Sequence, residues 1–345
     1  MRTSRWWIAG LAFVSLCGAT AAPAPQAAPA AKPKPQRVFR WTPGRGTDTV
    51  ASLEWKLRVF GTSNLVAPGG VILWHFGEET PDHVGLAPWR IDLETGRGQP
   101  LRQEALFAHD VSAQWLPGGK AVAVNPKQIE VRDPAGHSLR TIAERSAKES
   151  ILSFAVNPYD GRIAGFEGAP YAEMVDLVVW SAEGEELVRI ERITRRPTGD
   201  GFTLPFYAIW LRDGRLAFAP PAELEEEKDG PWPTRRLALV DLAQRKVTRL
   251  PVVLSAIYDA SPAALLLDGG RLYDLASGKV RPHPQPSGGP IEGRRFSPDG
   301  SWLAGLQGMT VGALRLSDRT WHPLSPGEII GWGPDGVLYW LERLS

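Results

Sequence analysis

Apolar and polar positions alternate over short stretches of this chain, and turn-forming residues interrupt them at frequent intervals. The clearest stretch is FSPDGSWLA at residues 296–304, where an aromatic residue ends one apolar segment and Trp302 and Leu303 begin the next. Proline sets φ at the first corner of a type I turn, aspartate accepts hydrogen bonds within its own turn, and glycine takes the left-handed position of a bulged hairpin. The pattern therefore predicts two short antiparallel strands joined by a tight turn.

This hairpin pattern recurs along the chain at spacings of roughly 40 residues. A second hairpin of alternating apolar residues follows most copies, as in the segments 90–96, 239–244 and 272–278. Each unit thus predicts four short antiparallel strands. The first hairpins of the successive units lie at residues 65–74, 115–123, 154–164, 210–217, 258–266, 296–304 and 332–339.

A repeated four-stranded unit of this size is typical of a β-propeller, in which small sheets bury their two apolar faces against one another. The sequence predicts an all-β fold with seven blades. Six or eight blades stay open because the copy at 258–266 is degenerate. The last copy has too little chain behind it for a second hairpin, whereas residues 36–60 precede the first copy. We therefore expect N-terminal strands to complete the last blade and close the ring.

The copies at 296–304 and 332–339 resemble the Pro-Asp repeats of TolB-type periplasmic propellers, which are similar to WD repeats. The Asp-Leu turns at 241–242 and 274–275 resemble the second hairpin of that family. The resemblance implies a propeller fold and a binding role in the cell envelope. It does not imply membership of the Tol system, because TolB carries an additional α/β domain for which we expect no room here.

Residues 1–21 have the features of a secretory signal peptide. Arg2 and Arg5 provide a positive start, residues 6–16 form an apolar run, and small residues at 19–21 suit a cleavage site. The apolar run is too short to span a bilayer, so no transmembrane span is expected after processing. The protein is therefore expected to be exported to the periplasm or secreted.

Cys17 is the only cysteine and lies at the end of the apolar run, where a bacterial lipoprotein carries its acylated cysteine. Leu16 is larger than the residue usual before such a cysteine, so lipidation and ordinary cleavage after Ala21 both stay open. The Ala/Pro-rich residues 22–36 are expected to form an extended linker. Residues 37–345 then form the propeller domain.

The composition gives no sign of a polyanion partner or of a known catalytic motif. Hydrophobic residues make up 43% of the chain and the formal net charge is +1, so no overall basic field attracts nucleic acid or anionic membranes. The six histidines show no metal-ligand spacing, and the sequence holds no nucleophile elbow, phosphate-binding loop or His-Glu-x-x-His motif. We expect a monomer without a cofactor or a bound metal.

The longest polar segments predict one loop-rich face. Turns within the two hairpins of a blade lie on one side of the sheet, and the other connections lie on the opposite side. The long segments 77–88, 192–205 and 219–234 are all of the second kind, and such loops carry binding residues above a rigid scaffold. Their charges and tryptophans suit a docking face, although charged loops are also often merely solvated. The candidate binding residues are Glu78, Asp82, His83, Trp89, Arg195, Arg196, Glu225, Glu226, Glu227, Asp229 and Trp232.

Three functions stay open. The first is a non-enzymatic envelope propeller that binds a protein, peptide or glycan partner through the loop-rich face. The second is a lactonase-like hydrolase with a central divalent metal, which would need three or more inward carboxylate or histidine ligands around one point. The third is a purely structural envelope lipoprotein anchored at Cys17.

Overall fold

The computed structural model of this chain describes sixteen segments, and within them almost every residue lies in a strand or a turn. A short 3₁₀ turn at Asp268–Gly270 is the one helical element of these segments. No helix in them is long and apolar enough to cross a membrane. The described segments are 35–53, 57–58, 66–67, 70–76, 86–92, 95–100, 112–117, 119–125, 127–133, 137–145, 150–169, 172–195, 198–199, 202–203, 208–220 and 235–343.

The strands of the first half of the chain are β1 (Gln36–Thr42), β2 (Gly46–Leu53), β3 (Leu57–Arg58), β4 (Val66–Ala67), β5 (Gly70–Phe76), β6 (Leu86–Asp92), β7 (Gly98–Pro100), β8 (Ser112–Trp115), β9 (Ala121–Asn125), β10 (Gln128–Arg132), β11 (Ser138–Glu144), β12 (Ser150–Val156), β13 (Ile163–Gly168), β14 (Met174–Trp180) and β15 (Glu186–Arg195).

The strands of the second half are β16 (Thr198–Gly199), β17 (Phe202–Thr203), β18 (Ala208–Trp210), β19 (Leu216–Phe218), β20 (Arg235–Asp241), β21 (Lys246–Leu254), β22 (Ile257–Ala260), β23 (Ala264–Leu267), β24 (Arg271–Asp274), β25 (Val280–Pro282), β26 (Glu292–Phe296), β27 (Trp302–Gln307), β28 (Thr310–Arg315), β29 (Trp321–Trp332) and β30 (Leu338–Glu342).

These strands pair mainly as successive four-stranded antiparallel sheets, as the repeated hairpins predict. Four such sheets are β8–β11, β12–β15, β18–β21 and β22–β25, each with its strands in chain order. A further sheet joins β3, β5, β6 and β7, with β4 also paired to β5. The fold is therefore that of an all-β propeller. The number of blades and the closure of the complete ring stay predictions.

The sheets bury their faces against one another. Every residue of β19 and β23 is buried, which is expected for strands covered on both faces. Phe166 of β13 packs against Phe218 of β19 in the next sheet, with ring centroids 5.4 Å apart. Outer strands such as β21 alternate exposed and partly buried residues. The apolar core thus lies between neighbouring sheets.

The N-terminal strands complete a sheet with the end of the chain. β1 pairs with β30, placing Val38 opposite Leu341, and the order β2-β1-β30-β29 runs into a larger sheet that also holds β26 to β28. Arg37 anchors this pairing through a 2.6 Å contact from Nη2 to Glu342 Oε1. The expected pairing of the two termini is therefore present.

The first strands of successive sheets lie side by side. We call β8, β12, β18, β22, β26 and the final part of β29 the inner strands, because each contacts the next along the chain. The turns that follow them share one end of the sheets, which we call the turn side. The connection between β13 and β14 lies at the opposite end, the loop side, as antiparallel order requires.

Candidate binding site at the turn-side end of the inner strands

Two buried tryptophans each tie one inner strand to a neighbouring inner strand. The indole Nε1 of Trp210 on β18 donates a 2.9 Å hydrogen bond to the carbonyl oxygen of Ala155 on β12. The indole Nε1 of Trp332 on β29 donates in the same way to the carbonyl oxygen of Arg295 on β26, at 3.0 Å. The aromatic residue before the turn therefore braces the neighbouring inner strand as well as filling the apolar core.

Gln114 fills the corresponding role on β8. Its Oε1 accepts a 2.8 Å hydrogen bond from the backbone N–H of Val156, and its Nε2 lies 3.3 Å from the carbonyl oxygen of Phe154. The amide thus pairs with the edge of β12 as a neighbouring strand would. This bracing holds the inner strands in fixed relative positions.

Asp259 on β22 makes the same kind of link with a charged group. Its Oδ2 accepts a 2.6 Å hydrogen bond from the backbone N–H of Phe296 on β26, and its Oδ1 accepts one from Ala260 at 2.8 Å. Burial raises the pKa of Asp259 to about 6, although the charge of Arg295 and the two N–H donors oppose this rise. The carboxyl group is thus a structural link that also titrates near neutral pH.

Arg295 lies beside Asp259 and is incompletely satisfied. Its Nη1 donates a 2.8 Å hydrogen bond to the carbonyl oxygen of Arg294, and it makes no ion pair with any residue in the described segments. Burial lowers the pKa of Arg295, and the nearby charge of Asp259 works against this effect. A β-bulge between Glu292 and Arg295, with Gly293 at φ 59°, sets this part of β26 apart from a regular strand.

Two turn residues extend this group along the turn side. Tyr159, in the turn after β12, is 44% exposed. Burial of part of the ring raises the pKa of its hydroxyl, the charge of Arg212 lowers it, and the charge of Asp259 raises it. Arg212 is exposed in the turn after β18. We name Tyr159, Arg212, Asp259 and Arg295 the turn-side cluster; its members come from four successive inner strands and their turns.

Few of the residues that the sequence singles out lie in the described segments. Arg195 is at the loop-side end of β15, and its Nε lies 3.2 Å from Glu173 Oε1 in the connection between β13 and β14. Trp89 lies within β6, opposite Leu73 and Pro100. The residues outside the described segments are Cys17, Glu78, Asp82, His83, Arg196, Glu225, Glu226, Glu227, Asp229 and Trp232.

The turn-side cluster is absent from the sequence prediction because its members are far apart in the chain. A signal for two of them does exist: Asp259 and Arg295 each stand two positions before the serine of a Ser-Pro turn, at Ser261 and Ser297. Equivalent positions of neighbouring repeats lie side by side in a propeller. Aligning the repeats would therefore have placed these opposite charges next to each other.

The described histidines and carboxylates do not form a metal site. Among the described residues, no three His, Cys, Asp or Glu side chains come together in a way that could hold a metal ion. His283 is buried, with Nδ1 2.6 Å from the carbonyl oxygen of Pro284 and Nε2 2.7 Å from Gln285 Nε2. Burial lowers the pKa of His283. Both ring nitrogens therefore serve the local fold.

The proteins found to be similar to this chain are solved structures. No family model and no curated protein matches the sequence. An oligogalacturonate lyase from Vibrio parahaemolyticus matches with 10% identity over 84% of this chain and 91% of its own, at a TM-score of 0.52. An oligogalacturonate lyase in complex with manganese matches with 11% identity over 80% of this chain and 86% of its own, at a TM-score of 0.51. A putative TolB from Agrobacterium tumefaciens matches with 11% identity over 90% of this chain and 99% of its own, at a TM-score of 0.41.

At these identities the two lyase structures show a shared fold and nothing of activity. The paired hairpins, with the turn at 297–300 closed by a hydrogen bond from Gly300 N to Ser297 O of 2.8 Å, match the Pro-Asp repeat pattern of the sequence. The chain is therefore an all-β propeller built from paired antiparallel hairpins.

Proposed function

We propose that this protein is an exported, non-enzymatic β-propeller that binds a protein, peptide or glycan partner in the cell envelope. The turn-side cluster is the observation that supports this proposal. Tyrosine and arginine are enriched among the residues that contribute most to binding at interfaces. Tyr159 exposes 44% of its surface, and Arg212 is exposed beside it. A partner that covered this end of the inner strands would bury both.

The bracing of the inner strands supports a binding role. Trp210, Trp332, Gln114 and Asp259 each bond to the backbone of a neighbouring inner strand. A site whose scaffold is already fixed loses little conformational entropy when a partner binds. The cluster therefore offers a pre-organised surface.

The loop-rich face is a second proposed surface. Arg195 and Glu173 show its character within the described residues, since their side chains are 46% and 73% exposed and form a surface ion pair. Such a pair contributes little to folding stability and is available for exchange with a partner's charges. The other loop residues named from the sequence remain hypotheses for this face.

Partner capture from an envelope extract of the source cells tests the proposal and tells the two faces apart. One variant combines Tyr159→Ser with Arg212→Gln, and a second replaces Glu225, Glu226 and Glu227 with Ser. Arg319→Gln, an exposed arginine in another turn, is the matched control. We expect the wild-type protein and the control to retain the same co-eluting partner, and the first variant to lose it.

Loss of the partner in the triple-serine variant alone would move the site to the loop-rich face. If neither variant changes what co-elutes, or if nothing co-elutes with the wild type, the binding proposal fails. Mass spectrometry of the mature protein tests the proposed layout of signal peptide, linker and propeller at residues 21 and 37. Palmitate labelling of Cys17 tests the lipoprotein alternative.

The alternative function is a propeller hydrolase of lactonase type with a central divalent metal. Asp259 is the observation that bears on it, because carboxyl groups with a pKa near 6 are common in catalytic sites. However, both oxygens of Asp259 accept backbone N–H groups, which suits a structural role. Turnover of lactones that depends on added Mn²⁺ or Ca²⁺, and that disappears in Asp259→Asn, would replace the binding proposal.

A further inference from the structure

Arg295 forms no ion pair with a described residue, in contrast to the charged groups around Glu167. Glu167 has a nearly buried side chain, and both Arg145 and Arg189 form ion pairs with it. Arg189 also pairs with Asp176 and Glu186. Each of these charged groups therefore has at least one neighbour of the opposite charge. Arg295 differs, because its one side-chain hydrogen bond to a described residue runs from Nη1 to the backbone carbonyl of Arg294.

The unused donors of Arg295 are open to a ligand. A guanidinium carries five N–H donors in a planar fork. Arg295 is partly buried, and its side-chain nitrogens are not among the fully enclosed atoms that lack a hydrogen-bond partner. The adjacent Arg294 contrasts with it, because its Nε is enclosed and has no hydrogen-bond partner. Solvent therefore reaches donors of Arg295 that a ligand could use.

Asp259 does not contact the guanidinium of Arg295 directly. Its two oxygens are already engaged by the N–H groups of Phe296 and Ala260, and it forms no ion pair with Arg295. Arg212, which acts on Tyr159 from the neighbouring turn, forms no ion pair with a described residue either. The turn-side cluster thus holds two cations and one carboxyl group. A net positive charge remains.

The charge and geometry of the cluster select the kind of anion. A planar carboxylate matches the guanidinium fork in a bidentate arrangement. A phosphate dianion would lie close to the carboxyl group of Asp259 and would be repelled by it whenever Asp259 is ionised. A singly charged carboxylate meets less of this repulsion. Tyr159 adds a hydroxyl and an aromatic face, which suit a peptide that carries a carboxylate.

We propose that the turn-side cluster binds an acidic side chain of a peptide segment, with Arg295 holding its carboxylate and Arg212 adding positive charge at the same end of the sheets. This inference rests on the proposed binding function and names the chemistry that the partner presents. It makes Arg295 the specificity-determining residue of the site. Asp259 and the bulge in β26 position its guanidinium.

The test uses the full propeller and two blocked tripeptides, acetyl-Gly-Glu-Gly-amide and its Gln counterpart, which differ by one charge. Binding is followed by the ¹⁵N shifts of arginine Nε–H groups and by calorimetry at constant ionic strength. We expect saturable binding of the Glu peptide, with the Gln peptide bound at least about tenfold more weakly. Arg295→Gln should weaken binding by about tenfold or more, and Arg319→Gln should leave it unchanged.

Circular dichroism and thermal melting establish whether Arg295→Gln folds. If it does not, Arg212→Gln replaces it, because Arg212 is exposed in a turn and makes no ion pair with a described residue. The inference is overturned if the wild-type protein shows no saturable response to the Glu peptide, or if both arginine variants bind it as tightly as the wild type. Tighter binding of glucuronate or inorganic phosphate than of the Glu peptide also overturns it.

The two proposals fail separately. Intact partner capture without any response to the Glu peptide would end this inference and leave the binding function standing. Binding of the Glu peptide without any captured partner would support the carboxylate site and end the proposal of an envelope partner.

Discussion

The indole N–H of Trp332 reaches across to the next inner strand and donates a 3.0 Å hydrogen bond to the carbonyl oxygen of Arg295. Trp332 is 2% exposed, so the bond forms where water cannot easily replace it. Trp210 repeats the arrangement with Ala155. The tryptophan that precedes a turn therefore holds two neighbouring inner strands together, and Trp332 fixes the strand that carries Arg295.

Replacing Trp332 with Phe tests this bracing. The change keeps an aromatic ring but leaves the Arg295 carbonyl without its donor, and a buried unsatisfied group costs about 1–3 kcal/mol. We expect the free energy of unfolding, measured with urea, to fall by at least this amount. Trp302→Phe is the control, because the Trp302 indole N–H makes no hydrogen bond to another described residue. Equal losses in the two variants would contradict a special role for the bond.

Asp259 should make stability depend on pH in a direction unusual for a carboxyl group. Its pKa of about 6 in the folded protein lies above the ordinary value of 3.8, so the folded state binds the proton more tightly than the unfolded state. Stability from this group is therefore present at low pH and is lost as the pH rises from about 4 to about 6. The change amounts to roughly 3 kcal/mol, at about 1.4 kcal/mol per pKa unit.

Asp259→Asn removes this contribution and provides the measurement. The difference in unfolding free energy, variant minus wild type, should grow in favour of the variant between pH 4 and pH 7. The comparison cancels the carboxylates whose pKa is lowered, such as Asp299 and Asp318, because both proteins contain them. A difference that stays constant over this pH range would show that Asp259 does not titrate there.

Gly300 is required by the turn that opens the β26–β27 hairpin. Its φ is 72°, and a Cβ added there would lie 2.9 Å from the Cβ of Ser261 in the neighbouring sheet. We expect Gly300→Ala to lower the unfolding free energy by more than about 1 kcal/mol, from left-handed strain and from the contact. Gly308→Ala is the matched control, since its φ is 62° and nothing lies within 4 Å of its added Cβ. Gly308→Ala should lower the unfolding free energy only by the strain of the left-handed backbone.

The pairing of the two chain ends predicts what truncation does. Deleting residues 1–34 leaves β1 and β2 in place, and we expect a monomer that melts cooperatively. Deleting residues 1–53 removes both strands, uncovers the edge of β30 and exposes Trp340 and Leu341, which are fully buried in the intact chain. An uncovered apolar edge strand promotes aggregation. Size-exclusion chromatography and thermal melting should separate the two truncations, and equal behaviour would show that β1 and β2 are dispensable.

The sequence by itself determined the units of this fold. Turn chemistry is local: proline, aspartate and glycine set dihedral angles and short-range hydrogen bonds, so the hairpin at 296–304 can be identified without its neighbours. The repeat and the alternation of apolar residues then indicate small sheets that must cover one another. The same reasoning predicted that N-terminal strands join the last hairpin, and Val38 does lie opposite Leu341.

Only the tertiary structure decided which polar side chains share one place. Asp259, Arg295 and Tyr159 are separated by many residues and become neighbours because equivalent positions of successive sheets lie side by side. Sequence patterns also do not report the environment of a charge. Arg145 and Arg295 are both arginines among apolar strands, yet one is paired with Glu167 and the other has no ion pair among the described residues. Their difference arises from packing between sheets, where distance and access to water set the strength of every charge interaction.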